Sequence, residues 1–353
     1  LGDLISTTEA AATNVSNSHP AVAWNARLRE HGGHLLQSWT WGDFKQRHGW
    51  IAERILVEGP NGTAMAQILF RRQGPLSIGY IPRGPIIAGD AETLWPELWA
   101  MIDQAARRQR AISVIVEPNE PLGLPGTFHD AGVVAGPAHF QPERTVVAPL
   151  LDDDALLKQM HQKTRYSVRL AYRRGVDIRD MVRSPESIAT FYGLMQDTAQ
   201  RNEFGIHSLD YYNDFVQMFG DDAVMLGAWS EGHLAAAVIS ATFGDEAVYM
   251  YGGSSTQHRA HGAAFALQFE AMKWGRGRGA KRYDLWGIPL QDPESTKSED
   301  SNTIAGTRGS DWRGLYRFKT GFGGEIVTYP QTMERRYVPV LPWLAQRLNI
   351  IHG

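Results

Sequence analysis

Lys319 is the first residue with a chemical reading, in the stretch RFKTGFGG over 317–324. Gly321, Gly323 and Gly324 reach backbone conformations barred to other residues, so the stretch reads as a turn too rich in glycine to be a helix. A cation held there suits a site where negative charge develops, and preorganised positive charge at a tetrahedral intermediate is worth roughly 10²–10³ in rate. The plain alternative is a solvated surface lysine, against which the flanking Phe318 and Phe322 argue. Lys45, in QSWTWGDFKQR, follows two tryptophans and Phe44 on an expected helix, and reads either as a phosphate-binding cation or as an exposed lysine. Tyr249 and Tyr251, in VYMYGGSS, lie two apart on an expected strand and should face the same side. Their hydroxyls either line a cleft at the sheet edge or pack on a half-buried face. His207 and Tyr211, in GIHSLDYY, are four apart and share a helix face, where a lone histidine is more often structural than catalytic. Arg165, Arg169 and Arg173 form an i, i+4, i+8 stripe with Lys158 and Lys163 nearby. Such a stripe meets RNA phosphates or a pyrophosphate, or is a solvated face paired to acids.

Other chemistries find little support. There is no cysteine, hence no thiol nucleophile, disulfide or cysteine metal site. The histidines show no ligand spacing, so neither a metal nor another cofactor is expected. A Gly-x-Ser-x-Gly elbow and a Walker loop are both missing. RAHGAA, Arg259 to Ala264, fits Arg-x-x-Gly-x-Ala, the pyrophosphate turn of acetyl-CoA-dependent GNAT enzymes, and keeps an acyl-CoA alternative open. A net charge of −3 means that any nucleic-acid contact must come from a local patch. No apolar run approaches the ~18 residues needed to cross a membrane. Residues 1–20 have neither the basic start nor the apolar core of a signal peptide, and read as a loosely held arm.

The elements that must position these residues come as two copies. The chain has 353 residues, enough for two domains. RILVEGPNGTAMAQILFRRQ (54–73) and VMLGAWSEGHLAAAVISATF (224–243) each join two alternating apolar runs by a short polar turn, the pattern of a β-hairpin. Each hairpin leads to a third strand (76–87 and 247–255), a helix of periodic apolar residues, and a buried strand (111–118 and 281–288). This β-β-β-α-β order recurs at an offset of about 170 residues. The expected fold is α/β (α+β), a tandem pair of GNAT (acyl-CoA N-acyltransferase)-like domains forming a pseudo-dimer. The first would span 1–150 with its N-terminal arm, completed by 325–353, and the second 151–324.

Taken in order, QSWTWGDFK, KTRYSVRLAYRRGV, YMYGGSS, MKWGRGRGAKRYDLWGI and GLYRFKTGFGGE make residues 30–340 resemble the FemABX aminoacyl-tRNA-dependent peptidoglycan aminoacyltransferases. The absence of a heptad run is similar to the compact FemX type, without the coiled-coil arm. The resemblance implies transfer of an amino acid from aminoacyl-tRNA to a side-chain amine of a nucleotide- or lipid-linked muramyl pentapeptide precursor, forming an interpeptide bridge. It implies a cytoplasmic bacterial protein, at most peripherally associated with the inner membrane face. By position it makes Lys45 a phosphate contact, Tyr211, Tyr249 and Tyr251 the walls of the acceptor cleft, and Lys319 after Phe318 the stabiliser of the tetrahedral intermediate. His207 stands where the compact type carries an arginine that makes a second phosphate contact. Asp284 and Asp311 are the acids near enough in sequence to be considered as general bases.

Overall fold

Both expected hairpins form. The computed structural model describes residues 19–120, 133–202, 205–255, 262–290, 292 and 312–338. Strands β1 (Trp50–Gly59) and β2 (Gly62–Gln73) pair from Trp50↔Arg71 to Gly59↔Gly62. Strands β9 (Ala223–Ser230) and β10 (His233–Phe243) pair from Ala223↔Ala241 to Ser230↔His233. Glu231 and Gly232 both take positive φ, 52° and 81°, the primed-turn geometry that matches the twist of a two-residue hairpin.

The rest of the repeat follows. β3 (Leu76–Pro82) continues the first hairpin, with a short β4 (Ile86–Gly89) pairing β2. Helix α3 (Ala91–Arg108) then crosses over to β5 (Ala111–Glu117), which runs parallel to β3. In the second copy β11 (Glu246–Ser254), α8 (Ala263–Gly277) and β12 (Arg282–Gly287) repeat the step, with β12 parallel to β11. Parallel neighbours need such a helical crossover. Asp90 caps α3 by accepting the Glu92 N–H at 3.1 Å, and Leu94, Leu98 and Ile102 recur on its buried face.

Each sheet carries α3, or α8 with α5 (Gln162–Arg173), on its outer face. The inner faces share one core. It joins α1 (Pro20–Glu30) and α2 (Trp39–Arg47) to α6 (Pro185–Asn202) and α7 (Leu209–Phe219). Phe44 of α2 lies 4.6 Å from the Tyr211 ring and 5.5 Å from Phe215, both on α7. Phe44, Phe191 and Phe215 are fully buried, each contributing roughly 1.5–3 kcal/mol, so the two halves are one packed unit. The paired α/β layout is the expected pseudo-dimer of GNAT-like domains.

Sheet membership shifts the expected boundaries. β7 (Arg144–Pro149) was expected in the first half, but it pairs with β12 and with β13 (Glu325–Thr328) in the second sheet. The chain returns to the first sheet only at β14 (Met333–Arg336), which pairs with β5 and β6 (Val133–Ala135). The short apolar β13 finds the open edge of β7 before the turn at Tyr329 and Pro330 carries the chain across. Most of the N-terminal arm and the tail from 339 lie outside the described residues. Helices α3 and α6 have 18 residues each, far shorter than a coiled-coil arm. No helix among the described residues is long and apolar enough to cross a membrane.

Candidate active site

A cavity of about 230 Å³ opens between the two halves. Lys45 from α2, Tyr211 from α7, Tyr251 from β11, His207 and Trp286 all line it. Ser38 caps α2 by accepting the Trp41 N–H, which fixes the turn that carries Lys45. Lys45 is only 8% exposed. It lies 5.3 Å from the Trp50 and Tyr211 rings and 5.7 Å from Trp41, and donates to the Tyr211 hydroxyl at 3.5 Å. Burial, then the Arg71 charge, lowers its pKa to about 8. A cation so held is short of hydrogen-bond acceptors and suits an incoming anion.

His207 does not add a second charge. Its ring stacks on Tyr211 at 3.8 Å and 15°. Burial, followed by the Lys45 and His48 charges, depresses its pKa to about 4, so it is neutral at neutral pH. It walls the cavity as an aromatic surface.

Tyr249 and Tyr251 do not face the same side. Tyr251 pairs with Ile239 and Tyr249 with Ser240, so Met250 is an extra, bulged residue. Ile239 and Ser240 are consecutive and face opposite sides of the sheet, and the tyrosines follow them. Tyr251 joins Tyr211 by a hydroxyl–hydroxyl hydrogen bond in the shared core. Tyr249 lies with the second sheet's outer core, its hydroxyl folded over Gly252, where an added Cβ would sit 2.6 Å from it.

Lys319 lies on that outer side, and on a helix. Residues Trp312–Thr320 form α9, and the glycine turn begins after Lys319. The glycines admit the protein's own backbone. A Cβ at Gly323 would stand 2.7 Å from the Gln159 carbonyl, and one at Gly324 2.3 Å from that of Val147. The β11–β12 ladder stops at Val248↔Asp284, and the strands then splay. Lys319 fills the wedge, its Nζ donating to the Gly287 carbonyl at 2.8 Å and standing 5.4 Å from the Tyr249 ring. It is 6% exposed, and burial lowers its pKa to about 8 although Asp284 pulls the other way. Gly287 follows Trp286, a wall of the interdomain cavity. On the far side Phe318 lines a second cavity of about 770 Å³, with Phe265, Lys163 and Arg317. Lys319 itself lines neither cavity: its chain neighbours Phe318 and Thr320 line one, and its partner Gly287 follows a wall of the other.

The arginine stripe divides. Arg165 donates to the carbonyls of Leu157, Lys158 and Met160, ending α4 (Asp153–Gln159), and so is held by the fold. Arg169 and Arg173 are exposed, and the Arg173 guanidinium lies 5.5 Å over the Tyr166 ring. Of the RAHGAA turn, Arg259 to His261 lie outside the described residues, as does Asp311. Gly262 caps α8, and a Cβ on it would be 2.4 Å from the Ser167 carbonyl. Main chain of α5 thus lies against the helix end that a pyrophosphate would use.

One cluster was seen from the sequence only through Asp284, the candidate base. His34, Glu246 and Asp284 bring ligand-type atoms within 4.8 Å of one another at the domain junction. They do not suit a metal. His34 Nδ1 accepts the Leu36 N–H, which leaves its proton on Nε2, facing Glu246 Oε1 at 3.5 Å. Arg282 donates to Glu246 at 2.8 Å. Buried Arg83 stacks 3.3 Å over the Tyr329 ring and also acts on both acids. Burial, then the Asp284 charge, pushes Glu246 up to about 7. A further sequence signal was available in Arg83, a cation between prolines in the apolar run YIPRGPII.

The architecture and the paired cavities can be set beside known proteins. The lipid II:glycine glycyltransferase of Staphylococcus epidermidis is 22% identical over 379 aligned residues, covering 85% of this chain and 87% of that protein. That of Staphylococcus aureus is 23% identical over 385, with the same coverage. A crystal structure of FemX superposes with a TM-score of 0.78 at 20% identity, over 93% of this chain and 98% of the other. The C-terminal domain of a putative lysylphosphatidylglycerol synthetase from Agrobacterium fabrum gives 0.55 at 18% identity, over 93% of this chain and 98% of its own. The model of the FemAB family matches residues 25–127, 125–231 and 227–349, so the chain belongs to the FemAB family.

Proposed function

We propose that the protein is an aminoacyltransferase that moves an amino acid from aminoacyl-tRNA to a side-chain amine of a muramyl peptide precursor. The observation that carries the reading is Lys319, a buried cation whose neighbours Phe318 and Thr320 line one cavity and whose partner Gly287 adjoins a wall of the other, and we take it as the partition between them. The interdomain cavity takes the precursor. Lys45 meets its phosphate, and His207, Tyr211 and Tyr251 hold its apolar and peptide parts. The second cavity takes the 3′ end of the RNA, with Phe318 and Phe265 against the terminal base and Arg169 and Arg173 along the phosphates. Tyr249 steadies Lys319 from the side. Relatives that bear the name lipid II:glycine glycyltransferase support a lipid-linked precursor, and on this reading the reaction runs at the cytoplasmic face of a membrane.

An aminoacyl ester is already activated, so the protein's share is modest. Binding the amine in an aromatic cleft lowers its pKa from ~10.4, and proximity supplies up to ~7–11 kcal/mol. Lys319 then meets the oxyanion. The test is to incubate the protein with a mixed charged tRNA pool and either lipid-linked or nucleotide-linked muramyl pentapeptide. A mass gain of one aminoacyl residue is expected, and no gain with either precursor overturns the reading. An acyl-CoA donor is disfavoured by the packing of α5 against Gly262, and calorimetry with CoA should show no binding.

A further inference from the structure

Strand β12 loses its register with β7 between Asp284 and Gly287, and the freed residues point to different places. Trp286 has φ 62°, a left-handed backbone that a tryptophan keeps only when its surroundings hold it. The Asp284 carboxylate is the holder, with Oδ1 accepting the Trp286 N–H at 2.7 Å and also the Thr145 hydroxyl. The turn so fixed sends the Trp286 ring to the wall of the interdomain cavity. It aims the next carbonyl, of Gly287, at Lys319 Nζ. One buried side chain thus sets both the acceptor wall and the partner of the ammonium.

An asparagine would make the same two hydrogen bonds without the cost of burying a charge. The charge therefore needs its own reason. Asp284 is fully buried, and its Oδ2 has no hydrogen-bond partner among the described residues. Burial raises its carboxyl pKa, and the two hydrogen bonds, together with the cations Arg83, from the β3–β4 connection, and Lys319, from α9, pull it back toward the charged form. Glu246 on β11 adds like charge, Arg282 on β12 pairs with that glutamate, and neutral His34 and Tyr329 complete the surround. We propose that Asp284 is a positioning residue for the transfer. Its hydrogen bonds hold the Trp286–Gly287 turn, and its charge keeps the buried Lys319 an ammonium where the oxyanion forms. This rests on the role given to Lys319 above.

Asp284→Asn keeps the acceptor oxygen and removes the charge. With the carboxylate gone, no negative charge offsets the burial of Lys319, so its titration moves to lower pH. The expected kcat loss is about tenfold at pH 8 and about twofold at pH 6.5, following one decade per pH unit above the pKa. The KM for the precursor should stay unchanged in Asp284→Asn and rise in Asp284→Ala, which frees the Trp286 wall. Thr145→Val removes one hydrogen bond but no charge, and its pH profile should match the parent protein. A readout independent of turnover is the NMR titration of the Lys319 side chain in the resting protein. It should move down in Asp284→Asn. If the protein proves inactive with every donor, that titration still decides the coupling. An unmoved Lys319 titration, or a wild-type pH profile in Asp284→Asn, overturns the proposal. Should Asp284→Asn fail to fold, Lys319→Met must raise the Asp284 carboxyl pKa, read by infrared, and no rise overturns it as well.

Discussion

A buried lysine that must stay charged works against the fold that holds it. Lys319 and Lys45 each have a folded pKa near 8, against an ordinary 10.5. Between those values the unfolded chain binds more protons, so stability rises as pH climbs from 8 to 10.5 and the penalty is full at neutral pH. For each lysine that penalty is on the order of 3 kcal/mol. Lys319→Met should therefore raise the melting temperature at pH 7 while lowering transfer by roughly 10²–10³. A variant that loses stability and keeps its rate would contradict both halves of this statement. The acceptor side gives a second expectation. Precursor affinity should fall as pH passes about 8, where Lys45 discharges, and stay flat between pH 5 and 7, because His207 is already neutral there. A step near pH 6 in a binding titration would count against the neutral, stacked histidine. At this scale the sequence named Lys45, Tyr211 and Tyr251, which line the interdomain cavity, and Lys319, which lines neither cavity. It was silent on charge state, because burial by residues from distant segments sets that.

Single-residue irregularities decide which way elements aim their side chains. The bulge at Met250 sends Tyr249 and Tyr251 to opposite faces, and alternation alone could not reveal an inserted residue. Deleting Met250 should remove the bulge and leave the tyrosines, then adjacent, on opposite faces as they are now. Lys319 should keep its ring neighbour and the transfer rate should change little, whereas replacing the bulge by regular alternation with Met250 retained is what would move Tyr249 away from it. Within α5 the even spacing of three arginines hid two jobs. Arg165→Ala should cost about 1–2 kcal/mol of stability, the size of a lost cap, without altering RNA affinity. Arg169→Ala and Arg173→Ala should leave the melting temperature in place and each reduce the salt slope of RNA binding by about 0.7–0.9. An unchanged slope in both would remove α5 from the RNA path. The helix of Lys319 was read as a turn because the glycines after it dominate the local pattern, whereas α9 ends just before them.

The whole molecule behaves as one body with two working sides. The duplication was legible because each copy repeats its hairpin, crossover helix and parallel strand in order. The handover between sheets was not, since β7 and β13 are short and their partners lie far along the chain. Phe44 sits where α2 meets α7, so Phe44→Ala should cost about 3–5 kcal/mol and lower a single cooperative transition rather than split it. Two separate transitions in calorimetry would show that the halves fold independently.

The partition at Lys319 has a kinetic consequence. Substrates that enter by separate doors need not wait for each other to leave. On the proposed reading the donor need not deposit its aminoacyl group on the protein, because the ester and the amine meet across the same ammonium. Initial-rate plots against one substrate, at several fixed levels of the other, should then intersect, the mark of a three-body complex. Parallel lines would mean that the wall is crossed by a covalent carrier instead.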